Sequence, residues 1–130
     1  MTDQEFIDAF AAGRLPAEGF DHRAHLRAAY LLLRSRRFLD ACIAMRDGLQ
    51  ALAGKIGKPD LYHETLTVSF MALVAERMPA EPMACGDFIA QHPALCERRL
   101  LDRWYSAALL ASSAARKTFT MPDRTGGQHG

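Results

Sequence analysis

The chain has 130 residues, of which 49% are hydrophobic and 24% charged, with a formal net charge of +1. That length suits one globular domain with its own core, and the near-neutral balance supplies no global pull toward nucleic acid or an anionic membrane surface. No apolar stretch approaches the roughly 18 residues of a membrane span, and the acidic start Met1-Thr2-Asp3-Gln4-Glu5 carries no secretion signal. Cys42, Cys85 and Cys96 are odd in number and form no C-x-x-C pair, which suits reduced, buried thiols in a cytoplasmic protein.

Alanine, leucine, arginine and glutamate dominate, and no segment alternates apolar and polar residues with β-branched enrichment. The expectation is an all-α, single-domain bundle of about five to six helices over 1–123, without sheet or internal repeat. Thr2 with Glu5 makes a capping box for a first helix whose apolar side is Phe6, Ile7 and Phe10, ending near Gly13. After a loop over 15–19, Asp21 caps a second helix over 22–36, with His22, His25, Leu26, Ala29, Leu32 and Leu33 on one inward face. A third helix over 39–55 carries Cys42, Ile43, Met45, Leu49 and Leu52 and stops in the glycine and proline of 54–59.

The fourth helix is expected over 63–77, headed by His63 and followed by a break at 78–82. A short helix over 87–90 comes next, and Pro93 then suits the first turn of a longer helix to 111 that puts Tyr105 beside Leu101, Trp104 and Ala108. Ser112 or Ser113 caps one last short helix before Pro122. The glycine-rich stretch 124–130 reads as a disordered tail, and His129 is set aside with it.

Two words carry the chemistry: Phe20-Asp21-His22-Arg23-Ala24-His25-Leu26 and Tyr62-His63-Glu64-Thr65-Leu66-Thr67. Consecutive helices with short connections pack antiparallel, so the second and fourth helices run parallel and bring His22, His25 and His63 to one end. Three imidazoles with an open position are a common ligand set for Fe, Cu or Zn. Glu64 stands beside them as a fourth ligand, an orienting partner, a general base, or simply a carboxylate favouring the helix N-terminus. The spacing H-x-x-H differs from the H-E-x-x-H of zinc proteases, which excludes that reading.

Tyr62 and Tyr105 are further catalytic candidates, and Arg116 is a candidate for holding a substrate carboxylate or phosphate. The stripe of Arg23, Arg27, Arg34 and Arg37 is read as a solvated helix face rather than a nucleic-acid surface, since no binding motif accompanies it. With iron or copper the site suits an oxidoreductase; with zinc, hydrolysis or hydration. Two alternatives stand beside it: a metal-free enzyme using a histidine as acid and base, and a non-catalytic helical module for a partner or apolar ligand. A homodimer fits either class, and the expected partner of the enzyme is a small-molecule substrate, with no nucleic acid and no membrane.

The combination F-x-H-x-x-H-L, Y-H-E-T-L-T, Tyr105-Ser106, and Ala115-Arg116-Lys117-Thr118-Phe119 before Pro122-Asp123 resembles a small, largely uncharacterised bacterial family of about this length. The likeness runs over nearly the whole chain. It implies a compact helical fold and singles out His22, His25, His63 and Glu64 as the matched positions, without an activity to go with them.

Overall fold

Thr2 opens the first helix through reciprocal bonds: its Oγ1 accepts the Glu5 N–H at 3.1 Å, and its own N–H donates to the Glu5 carboxylate at 2.8 Å. Two donors that a helix start leaves unpaired are thereby satisfied. In the computed structural model, which describes residues 1–124, this helix is α1, Asp3–Ala11. Gly13 follows it with a φ of +71°, where a side chain would be strained. The remaining helices are α2 (His22–Ser35), α3 (Phe38–Lys55), α4 (Glu64–Glu76), α5 (Cys85–Gln91), α6 (Ala107–Leu110) and α7 (Ser113–Lys117). Tight 3-10 turns lie at Pro59–Leu61, Pro93–Cys96 and Leu100–Arg103, and no strand occurs among the described residues.

Among the described residues the all-α expectation holds, with seven α-helices where about five to six were expected. None of them is long and apolar enough to cross a membrane. The stretch 93–111 is not the one long helix expected: it holds the 3-10 turns Pro93–Cys96 and Leu100–Arg103 and then the short α6. Ser106 adopts an extended conformation (φ −71°, ψ 155°) and caps α6 by accepting the Leu109 N–H at 3.1 Å. Asp123 holds it there, accepting from the Ser106 backbone N–H at 2.8 Å and from its hydroxyl at 2.6 Å. Tyr105 therefore does not share a helical side with Ala108: its ring is buried while Ala108 is exposed. The proposed tail begins at Arg124, whose side chain donates to the Asp102 carbonyl at 2.6 Å; 125–130, including His129, lie outside the described residues.

α2 lies at the centre, packed against α1, α3, α4 and α5. Leu26, Ala28, Ala29, Tyr30, Leu31 and Leu32 are all buried, so this helix contributes more than one face to the core. Tyr30 stacks on Phe88 of α5 with ring centroids 4.4 Å apart and donates its hydroxyl to the Met83 carbonyl. Arg27 of the basic stripe is turned inward on the molecule, bonding Asp3 at 2.9 Å and lying 4.2 Å over the Phe6 ring. α1 and α3 approach closely where Phe10 meets Gly48. A Cβ on Gly48 would sit 2.3 Å from the Phe10 ring, so only glycine fits there.

The C-terminal segment is clasped onto the start of α4. Buried Thr65 donates its hydroxyl to the Thr118 carbonyl at 2.8 Å and accepts the Thr120 N–H at 3.0 Å. Tyr105 adds a bond to the Thr120 carbonyl at 2.7 Å and receives the Ser69 hydroxyl at 3.1 Å. Arg116 reaches from α7 to the Asp60 carbonyl at 2.8 Å. These partners tie α4 to the segment that runs from α6 to Arg124.

Candidate functional site

Asp21 begins the site. Its carboxylate accepts the Ala24 N–H at 3.0 Å and so starts α2, while its backbone carbonyl accepts from His25 Nδ1 at 2.9 Å. A carbonyl oxygen only accepts, so this bond puts a proton on Nδ1 of His25. Nε2 has no hydrogen-bond partner among the described residues. Phe20 lies 4.7 Å from the His25 ring and stacks on Phe10 at 5.5 Å, which fastens the imidazole to α1. His25 is half-buried, and burial pushes its pKa below the ordinary 6.5; the nearby His22 acts in the same direction, while the Asp21 carbonyl opposes both. The lowered pKa favours the neutral ring, which presents a lone pair at Nε2.

His22 is exposed rather than inward-facing, with its ring centroid 6.1 Å from that of His25. His63 is not the first residue of α4 but its N-cap. Its Nδ1 accepts the Leu66 N–H at 3.1 Å, and its Nε2–H donates to the Leu110 carbonyl at 2.7 Å. Both ring nitrogens are committed to backbone. Thr67 in turn donates its hydroxyl to the His63 carbonyl at 2.8 Å.

These three histidines line one cavity of about 510 Å³ where α2, α3 and α4 meet. Met45, Leu49 and Leu52 of α3, Leu66 and Phe70 of α4, and Leu95 and Leu101 of the later turns form most of its wall, with Glu97, Arg98 and Asp102 supplying charge. The volume is that of a typical small-molecule site, and the lining has the expected character: mostly apolar, with a few placed polar groups. Among the described residues, no group of three or more His, Cys, Asp or Glu side chains is arranged to hold a metal ion. The histidines are visible in the sequence, but the apolar wall around them is not, since it draws on positions from Ala17 to Leu110.

Of the other candidates, Tyr62 lines the cavity but spends its hydroxyl on Glu64 at 2.6 Å. Burial, helped by that carboxylate, pushes the phenol's pKa well up, so it remains protonated. Glu64 itself is not part of the cavity wall. Tyr105 lies away from it in the clasp, and Arg116 borders a separate depression with Lys58 and Asp60. All three cysteines are free; burial raises Cys42 to about 11, with Glu64 adding to the shift, and raises Cys85 and Cys96 as well. None of the three has the depressed pKa of an activated thiol.

Compared with protein-family models, curated proteins and solved structures, the chain matches none of them.

Proposed function

We propose that the protein is a small enzyme acting on a low-molecular-weight, largely apolar substrate held between α2, α3 and α4, with His25 as its general acid and base. The supporting observation is the His25 ring itself: Nδ1–H is fixed on the Asp21 carbonyl, Nε2 has no partner among the described residues, and the residue lines a largely apolar cavity. A base must be unprotonated at the working pH, and burial favours that form here. Nε2 can then take a proton from a bound substrate and return it while the Nδ1–H bond stays in place. Three free thiols fit a reducing compartment such as the cytoplasm.

This reading is metal-free because of His63. A metal bound there would displace either the Leu66 N–H or the Leu110 carbonyl, leaving a backbone group without its partner. Of these three rings, His22 and Nε2 of His25 are left without a hydrogen-bond partner among the described residues. Untagged protein incubated anaerobically with Fe(II), Cu(II) or Zn(II) tests the point. Uptake near one equivalent that falls in each of His22→Ala, His25→Ala and His63→Ala would replace this proposal with a three-histidine oxidoreductase or hydrolase.

The base itself is tested with a nitrobenzisoxazole, an apolar molecule that ring-opens when a base removes its one acidic C–H proton. Wild type is expected to accelerate the opening beyond an equal concentration of free imidazole. The rate should rise with pH through a pKa below 6.5 and fall to background in His25→Ala but not in His63→Asn. Acceleration that survives His25→Ala would reject His25 as the base. Binding of the probe without acceleration would favour the non-catalytic ligand-binding module.

A further inference from the structure

The polar groups around the cavity differ in what they have left to offer. His63 has nothing left, since it donates at Nε2 and accepts at Nδ1. Thr67 and Tyr62 have each given their single hydroxyl proton away, to the His63 carbonyl and to Glu64. Asp102 is half-exposed and paired with Arg99 through Oδ2, so the acceptor left among the more buried side chains of the lining is His25, whose Nε2 has no partner among the described residues. His22 is exposed, and Glu97 and Arg98 are exposed charges, so they meet solvent as well as the cavity.

We propose that this cavity selects a neutral, apolar small molecule bearing a hydroxyl or N–H donor, which it delivers to His25 Nε2. This rests on the reading of the cavity as a substrate site and narrows it to a chemical class. A hydrocarbon of the same shape fills the apolar wall but leaves the imidazole lone pair without a partner once water is expelled. An ether is penalised for the same reason, having only lone pairs to present. A buried polar group left unpaired is penalised, whereas the three ligands differ little in apolar area, so the donor is what separates them.

Naphthol, its methyl ether and naphthalene separate these contributions, since they share one apolar body and only the first donates. Dissociation constants are measured by fluorescence for wild type and for His25→Phe, which removes the acceptor but keeps a ring against Phe20. In wild type, naphthol is expected to bind about tenfold more tightly than its ether, the factor equivalent to about 1.4 kcal/mol. In His25→Phe the ratio should fall close to one while naphthalene still binds. A wild-type ratio near one, with all three bound, overturns the donor preference and leaves the cavity as a binding site. A tenfold ratio retained in His25→Phe assigns the donor's partner elsewhere and also overturns it. If none of the three binds wild type, the substrate-site reading fails and this inference with it. The wild-type ratio decides the matter even if the variant does not fold.

Discussion

His25 and His63 line one cavity with opposite tautomers: the first gives its Nδ1 proton to the Asp21 carbonyl, and the second gives its Nε2 proton to Leu110. The difference assigns them different work. His63 replaces a capping side chain and a backbone donor at once, so His63→Ala should destabilise the fold by about 2–4 kcal/mol, as measured by urea unfolding. Loss under about 0.5 kcal/mol would mean that neither bond contributes. His25 carries a pH signature instead. Its folded pKa lies below 6.5, so the unfolded chain binds a proton first as pH falls. The stability it contributes is complete above 6.5 and is lost between 6.5 and the lower folded value. His25→Gln should therefore flatten the fall of stability with pH in that window. An unchanged slope would contradict the buried neutral ring. The sequence shows that these histidines belong together, but not their roles, because the partner that commits His63 is Leu110, 47 residues away.

Among the elements, those governed by local chemistry were legible. Thr2, Asp21 and Ser112 each bond a backbone N–H three residues ahead, and all three helix starts fall where the sequence places them. The stretch 93–111 was not legible, since Ser106 interrupts it with help from Asp123, 17 residues on. Gly48 was equally silent: a glycine inside α3 carries no signal until Phe10 is seen against it. Gly48→Ala should cost about 1–3 kcal/mol through overpacking, although alanine is the better helix former; a stabilised variant would show that Phe10 has room to move. The clasp gives a matching prediction. Thr65→Val keeps the shape but strips partners from Thr118 and Thr120, and amide exchange should quicken over 113–124 before it does in α2. Uniform protection in both segments would leave Thr65 without that role. Tyr105, a site candidate in the sequence, lies here in the contact to the C-terminal segment, alongside Thr65.

At the scale of the molecule, the helices share one hydrophobic core, with the cavity at the junction of α2, α3 and α4. A space of about 510 Å³ walled by leucines forfeits packing contacts in a chain of this size, and a ligand that fills it restores them. Naphthol at about 100 times its dissociation constant should raise stability by about 2.7 kcal/mol, visible as a rise in Tm, and an unmoved Tm would place the probe elsewhere or on the unfolded chain. Everything proposed for the cavity depends on one ring being neutral, protonated at Nδ1 and open at Nε2. Nitrogen NMR of the His25 imidazole, followed through a pH titration of the untagged protein, reads all three properties directly. The structure predicts the Nδ1–H tautomer at neutral pH, with protonation of Nε2 only below 6.5. An Nε2–H tautomer, or titration at or above 6.5, would contradict it.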